Sequence, residues 1–384
     1  MSFTPILGPS SSVGDTGSNR FTMAYSPKYN LFGSIWLGET QSYTVDTETL
    51  AVTSSARTAI PGLSYVTHSA NCTYATVEDV FLYTYFQQHV SLGKLYGCIG
   101  TVSGDTISLG SSSIVYGGII GTSYSVESIT SLTYSPTAQK AVSFYVVGNT
   151  LYYTVITVSG GGISCGTATS TGISSVIYHD SCYNQHTGKI LLSYGSGSSI
   201  YAANVEISGT SITISDTTMV SSSFSDTVSV ACDHDSGKSI IPFRSGVNLK
   251  VALVDTNMSV ISLQNAPTNL GTVAAKCCSA SYDTNIKKVI VVSENSPTWR
   301  SSSITISDST FSFKTPDVVS DLNIVHGHPP CIVYSPSLEK TLLSHKVYYN
   351  GTANTYIYLQ AAQLDESAPR PFWTNFYSQS ETVV

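Results

Sequence analysis

Between residues 126 and 172, short runs of β-branched and aromatic residues are cut at regular intervals by Gly, Pro, Ser and Asn. This pattern predicts four strands. The first, 129–134, is stopped by Ser135-Pro136, because proline fixes φ and has no N–H to give to a ladder. The second, 141–147, runs into Gly148-Asn149, a pair suited to the positive φ angles of a two-residue hairpin. The third, 151–158, ends at Ser159-Gly160-Gly161-Gly162, and a short fourth covers 163–169. Four consecutive strands with tight turns read as an antiparallel meander.

The same unit recurs along the chain. Its anchor is an aromatic residue followed by a turn and then an aliphatic run, and it appears at Tyr25, Tyr74, Tyr134, Tyr183, Cys232, Tyr282 and Tyr334, with spacings of 49, 60, 49, 49, 50 and 52. A period near fifty residues marks an array of supersecondary units. One and three positions before the anchor, small residues dominate (Ala24, Thr73, Thr133, Cys182; Thr22, Asn71, Ser131, Asp180), whereas the intervening position is more often apolar (Met23, Leu132, Val230, Ile332). Small residues on one edge of a first strand suit a crowded axis. The fold expected is all-β: a seven-bladed β-propeller of four-stranded antiparallel blades.

The ends complete each other. The seventh unit lacks a fourth strand, and residues 1–12 contain a strand-like Ser2-Phe3-Thr4-Pro5 with no blade of its own, so the N-terminal strand is expected to close the last blade. The organisation expected is residues 1–12 as that strand, 13–365 as the propeller (units near 21–61, 64–114, 128–172, 176–220, 227–266, 274–314 and 324–364), and 366–384 as an aromatic tail. The 60-residue spacing places an extra surface excursion at 115–125.

Composition narrows the function classes. Only 11% of residues are charged, against roughly 25% in a typical domain. With a net charge of −7 and 17 scattered Lys and Arg, no basic stripe exists for a phosphate backbone, so no nucleic acid is expected as a partner. No apolar run reaches membrane-span length, and the first residues carry no secretory leader pattern, which predicts no membrane insertion and folding in cytoplasm. The eight cysteines fall mostly on strands of different units and are read as buried small hydrophobes.

Catalytic signals are absent. There is no G-x-S-x-G elbow, no P-loop and no dinucleotide fingerprint, nor the arginine cluster and boxes of sialidases. Asp180, Asp233, Asp235 and Asp283 sit at first-strand ends or turns, where Asp caps a turn through its side chain. His326-Gly-His328-Pro-Pro-Cys331 and His179-Asp-Ser-Cys182 resemble short ligand clusters, but they lie in units that are not adjacent, so no metal and no cofactor is expected. The turn lysines Lys140, Lys189, Lys238, Lys287 and Lys340 read as solvated charges that blunt a sheet edge.

The repeat, in Thr101-Val102-Ser103-Gly104-Asp105-Thr106-Ile107-Ser108-Leu109-Gly110 and in Thr157-Val158-Ser159-Gly160 with Ile163-Ser164-Cys165-Gly166-Thr167, resembles a propeller-type repeat of tail-fibre and virion-associated proteins of tailed bacteriophages. That resemblance implies a non-enzymatic structural or adhesive virion component, with other virion proteins as partners and a virion location. A host cell-surface glycan or protein receptor would bind one face. The alternatives are a carbohydrate-binding lectin or interaction scaffold outside a virion, or a glycan-processing enzyme. Aromatic and Arg residues at or beside the variable hairpins are the candidate binding set: Trp36, Phe86, His89, Tyr116, Tyr124, Tyr194, Phe243, Arg244, Trp299, Tyr348 and Tyr349. Their structural reading is that they fill the core between blades. Phe372, Trp373, Phe376 and Tyr377 in the tail are the candidate attachment residues.

Overall fold

The structure, a computed structural model, describes residues 4–6, 21–36, 39–46, 48, 52–60, 67–89, 92–118, 130–159, 161–257, 261–272, 277–295, 298–313, 317–320, 330–348, 355–363 and 372–374. Every regular element among them is a β-strand. The strands form seven antiparallel sheets, one per sequence repeat. In the third sheet, Thr130–Ser135, Lys140–Val147 and Thr150–Ser159 pair in chain order, and Gly162–Cys165 and Thr169–Ser170 both pair with Thr150–Ser159. Its hairpin turns on Gly148 and Asn149, with φ of 55° and 66°, as a type I′ turn requires.

The expectation of a closed propeller with uniform four-stranded blades is corrected. The seven sheets are separate and open, and they hold four, five or six strands. The added strands arise because the outermost position is usually broken in two. Thr106–Leu109 and Ser113–Tyr116 both lie on Leu92–Ser103, and a bulge between Ile114 and Tyr116 shifts the register. In the fifth sheet the innermost position is also split, into Asp226–Val228 and Ala231–Cys232. Among the described residues, only the fourth sheet keeps a continuous outer strand, Ser211–Ser221. On the seventh sheet, Thr4–Ile6 pairs with Thr355–Gln363, and it shares that edge with Phe372–Thr374 from the tail.

Sheets meet face to face through side chains rather than ladders. Six hydrophobic clusters among the described residues each draw on two neighbouring sheets. One joins Phe32 and Tyr43 of the first sheet to Leu342 of the seventh, and another joins Ile200 and Leu191 of the fourth to Ile241 and Phe243 of the fifth. Middle strands are therefore covered on both faces and read as near-continuous apolar runs, such as Val289 to Val292, all buried. The innermost strands touch in chain order, and the seventh touches the first, so they surround a common axis.

The turn between first and second strands is conformationally uniform. Five positions after each anchor stands a residue with positive φ: Asn30, Asp79, Gln139, Gly188, Gly237, Lys287 and Glu339, between 51° and 71°. Only two are glycine, and Asn and Asp tolerate the left-handed region better than Gln, Lys or Glu.

On this turn side the anchor hydroxyls of four sheets bind the sheet before. Tyr134 Oη donates to Glu78 Oε2 at 2.6 Å, Tyr183 Oη lies 2.6 Å from Thr137 Oγ1, and Tyr282 Oη donates to Asp235 Oδ2 at 3.2 Å. Tyr25 meets Ser337 of the seventh sheet. At the fifth sheet the anchor is Cys232, and its sulfur forms a disulfide with Cys182 of the fourth. The reading of all cysteines as buried hydrophobes is corrected for this pair, which lies on facing innermost strands with Cα atoms 6.6 Å apart. The six other cysteines are free thiols.

Candidate functional site

The innermost strands carry polar residues that bond across to neighbouring sheets, and strand alternation decides which neighbour each one meets. In the first four sheets, positions one and three before the anchor face the following sheet, and positions two and four face the preceding one; in the fifth, whose innermost strand is split, Ser229 turns back to the fourth. Thr22 Oγ1 donates to Ala70 O at 3.3 Å, and Asn71 Nδ2 donates to Thr130 O at 2.9 Å. Ser131 Oγ lies 3.1 Å from His179 Nδ1, while Ser181 Oγ bonds both Ser131 Oγ at 3.1 Å and Thr133 Oγ1 at 2.8 Å. A hydroxyl beside an imidazole is the geometry of an activated nucleophile. Ser131 and His179 are both enclosed, however, at 2% and 1% exposure. They brace Ser181, which is half-buried.

Among the described residues, the one carboxylate at these positions is Asp180. Its Oδ2 accepts the Ser229 hydroxyl at 2.9 Å and the Val230 N–H at 3.2 Å across the seam, and Oδ1 accepts the N–H of Ser181 at 2.9 Å. It is therefore an acceptor between sheets and not the turn cap its position suggests. Asp233 and Asp283 do cap turns, accepting N–H groups of Asp235 and Asn285 at 2.9 and 3.0 Å. Next to Asp180 in the chain, Ser181 is half-buried, and across the seam Ser229 supplies a second hydroxyl. Arg244 is nearby in the fifth sheet, but its guanidinium is taken by Asp226 at 2.6 Å and by Gly246 O at 2.8 Å. The site thus offers hydroxyls and a carboxylate and, among the described residues, no uncommitted cation. Burial pushes the thiols of Cys98 and Cys278 up to about 12, which removes both as nucleophiles at neutral pH. No group of His, Cys, Asp and Glu suited to a metal ion is found among the described residues.

A second titratable cluster lies at the turns of the fifth and sixth sheets. Burial raises the Asp233 carboxyl, but bonds from Ser236, Tyr282 and the backbone N–H groups of Asp235 and Ser236 outweigh it and leave the pKa below the usual range. Burial and the two neighbouring carboxylates drive the Tyr282 phenol far up. His234 packs edge-on against Tyr282 with centroids 5.6 Å apart, and burial lowers its pKa despite Asp233 and Asp235. With the folded value depressed, the unfolded chain takes up a proton first as pH falls below about 6.5. Stability is full above that point and declines below it, toward the lower folded value. Replacing His234 by Phe is expected to flatten the fall in melting temperature between pH 7 and 5; an unchanged slope in a pH series would assign the decline to other groups.

The candidate residues read from the sequence do not form one surface. Phe243 and Trp299 are fully enclosed and Phe86 and Tyr194 nearly so, all within the core. Tyr194 stacks on Tyr201 at 5.5 Å, and Tyr116 is tilted against Tyr145 at 5.1 Å. Arg244 is paired as described. Trp36, His89 and Tyr348 stand at strand ends, and Phe372 and Trp373 lie on the paired edge of the seventh sheet. Tyr124, Tyr349, Phe376, Tyr377, His326 and His328 lie outside the described residues. Sequence reasoning missed the axial role of Asp180 and Ser229. Their shared offset, three before the anchor, was the available signal.

No family model and no curated protein matches the chain. Among solved structures, one named as a “putative 6-phosphogluconolactonase” from Bacteroides fragilis is similar, with a TM-score of 0.59, 9% identity, and 95% of this chain and 98% of that one covered. A protein so named from Bacteroides uniformis gives 0.58 at 9% identity over 93% and 95%. A mutant of NanB sialidase from Streptococcus pneumoniae gives 0.50 at 10% identity over 94% and 70%. At such identities the likeness is one of fold. It overturns the phage reading on each count: these matches are named as enzymes and not tail-fibre proteins, so the virion role, virion partners, virion location and the exclusion of enzymes all lose their footing. The repeat resemblance rested on turn and strand chemistry, which belongs to the architecture and carries no role.

Proposed function

We propose that the protein binds a neutral polyhydroxylated small molecule, a sugar or sugar lactone, at the axial site around Asp180. The observation that carries this reading is a half-buried carboxylate fixed by three hydrogen bonds among hydroxyl-bearing strands. A fixed carboxylate accepts hydrogen bonds from ligand hydroxyls, and neighbouring serines both donate and accept. The absence of an uncommitted cation among the described axial residues argues against a phosphorylated or acidic sugar, which would call for Arg or Lys. Architectural likeness to proteins named as a lactonase and a sialidase supports a sugar-directed role. Calorimetric titration with neutral monosaccharides, their lactones and phosphosugars tests the reading. Neutral ligands should bind, and Asp180→Asn should weaken them about tenfold or more, as expected for loss of a charge-assisted bond. Exclusive binding of phosphosugars, equal affinity in the variant, or no binding at millimolar concentration would each overturn it.

A further inference from the structure

Four of the seven sheets are tied to the preceding sheet by an anchor tyrosine hydroxyl, and the fifth is tied by the Cys182–Cys232 disulfide at the same structural position. The substitution is specific in geometry. Cys232 occupies the anchor, which faces the preceding sheet, and Cys182 occupies the position before an anchor, which faces the following one. The bond joins the two strands that make the Asp180 contact: Asp180 and Ser181 immediately precede Cys182, and Ser229 and Val230 closely precede Cys232. Asp180 is held by hydrogen bonds across that seam.

We propose that the Cys182–Cys232 bond is a thiol-reducible latch on the seam between the fourth and fifth sheets, and that it controls how firmly Asp180 is held in the axial site. The surroundings of the two sulfurs are unequal in the way exchange chemistry needs. Cys182 is half-buried, whereas Cys232 is 3% exposed. The Ser239 hydroxyl lies 3.3 Å from Cys232 Sγ and can donate to it. A dithiol reductant attacks Cys182, the S–S bond breaks, and the electron pair leaves on Cys232 as a thiolate that Ser239 hydrogen-bonds before it is protonated. Attack by the second thiol of the reductant then releases Cys182 as a thiol. Two cysteine thiols form and the reductant becomes a cyclic disulfide. A tyrosine at this position would offer no such control, because its hydroxyl bond does not respond to redox state.

The control of Asp180 rests on the sugar-binding reading; the latch itself does not. Three measurements on the full chain separate them. Alkylation after denaturation without reductant should modify six of the eight cysteines, and all eight after reduction. Hydrogen exchange should then show residues 176–184 and 226–232 exchanging at least tenfold faster in dithiothreitol, with other innermost strands unchanged and a Cys182→Ser/Cys232→Ser variant indifferent to the reagent. Titration with the neutral sugar or lactone should show weaker binding in the reduced protein. Eight alkylated cysteines without reductant, or exchange that ignores dithiothreitol, would overturn the latch. Faster exchange with unchanged affinity would remove its link to the axial site. If no sugar binds in either state, the control of the axial site falls with the sugar reading, and the exchange experiment still decides the latch.

Discussion

Trp299→Ala is expected to destabilise the protein by about 3–5 kcal/mol, the cost typical of deleting a large enclosed aromatic side chain. Among the described residues Trp299 is the largest side chain that is fully buried, on Thr298–Ser307 and opposite Glu294 in the register. Removing the indole leaves a void that flanking strands cannot fill, because both their edges are fixed by ladders to Lys288–Asn295 and Asp317–Ser320. Denaturant unfolding should show a lower midpoint, and Trp299→Phe should recover a large part of the loss. An unchanged midpoint in the Ala variant would mean that the ring is not enclosed and would return it to the set of surface contact residues.

That residue marks where the sequence was legible and where it was not. The anchor period and turn chemistry located all seven sheets, and Gly148-Asn149 identified a hairpin whose backbone angles agree. Alternation failed at Trp299, Phe243 and Tyr194, because the second and third strands of each sheet are covered on both faces. A two-faced strand shows no polar side, and an aromatic near a hairpin then looks like a loop residue. The recurrent left-handed turn position was hidden for a related reason: Gln139, Lys287 and Glu339 take a conformation usually signalled by Gly or Asn. Broken outer strands left no mark either, since a bulge needs only one unpaired residue.

The axial site was partly readable. Small and polar residues one and three before the anchors pointed to a crowded centre, and Thr22, Asn71, Ser131, Asp180 and Ser229 do make the contacts between sheets. What single-strand reasoning could not supply is which neighbour each residue meets. The anchors Tyr183 and Cys232 are 49 apart, so Cys182 and Cys232, 50 apart, fall one position out of phase. On adjacent strands of a repeat array that offset turns the two sulfurs toward each other, and the pairing follows from the repeat once neighbours are known to pack side by side.

The same close packing makes a glycine in a strand interior costly to replace. A Cβ added at Gly195 would run into Cε1 of Phe224, with two further ring atoms at 2.7 and 2.8 Å. Phe224 is itself confined, edge-on to Tyr178 at 6.1 Å and part of the cluster between the fourth and fifth sheets. The phenyl ring cannot swing away without disturbing that seam, so Gly195→Ala is expected to cost about 1–3 kcal/mol, the range for forcing extra atoms into a packed core. This outweighs the ~0.4–1 kcal/mol that alanine gains by restricting the unfolded chain. If the ring is the cause, Gly195→Ala in a Phe224→Leu background should cost less than about 0.5 kcal/mol, and the difference is a coupling energy that a double-mutant cycle reads directly. Equal costs in the two backgrounds would show that the strand backbone, rather than Phe224, is what demands glycine at this position.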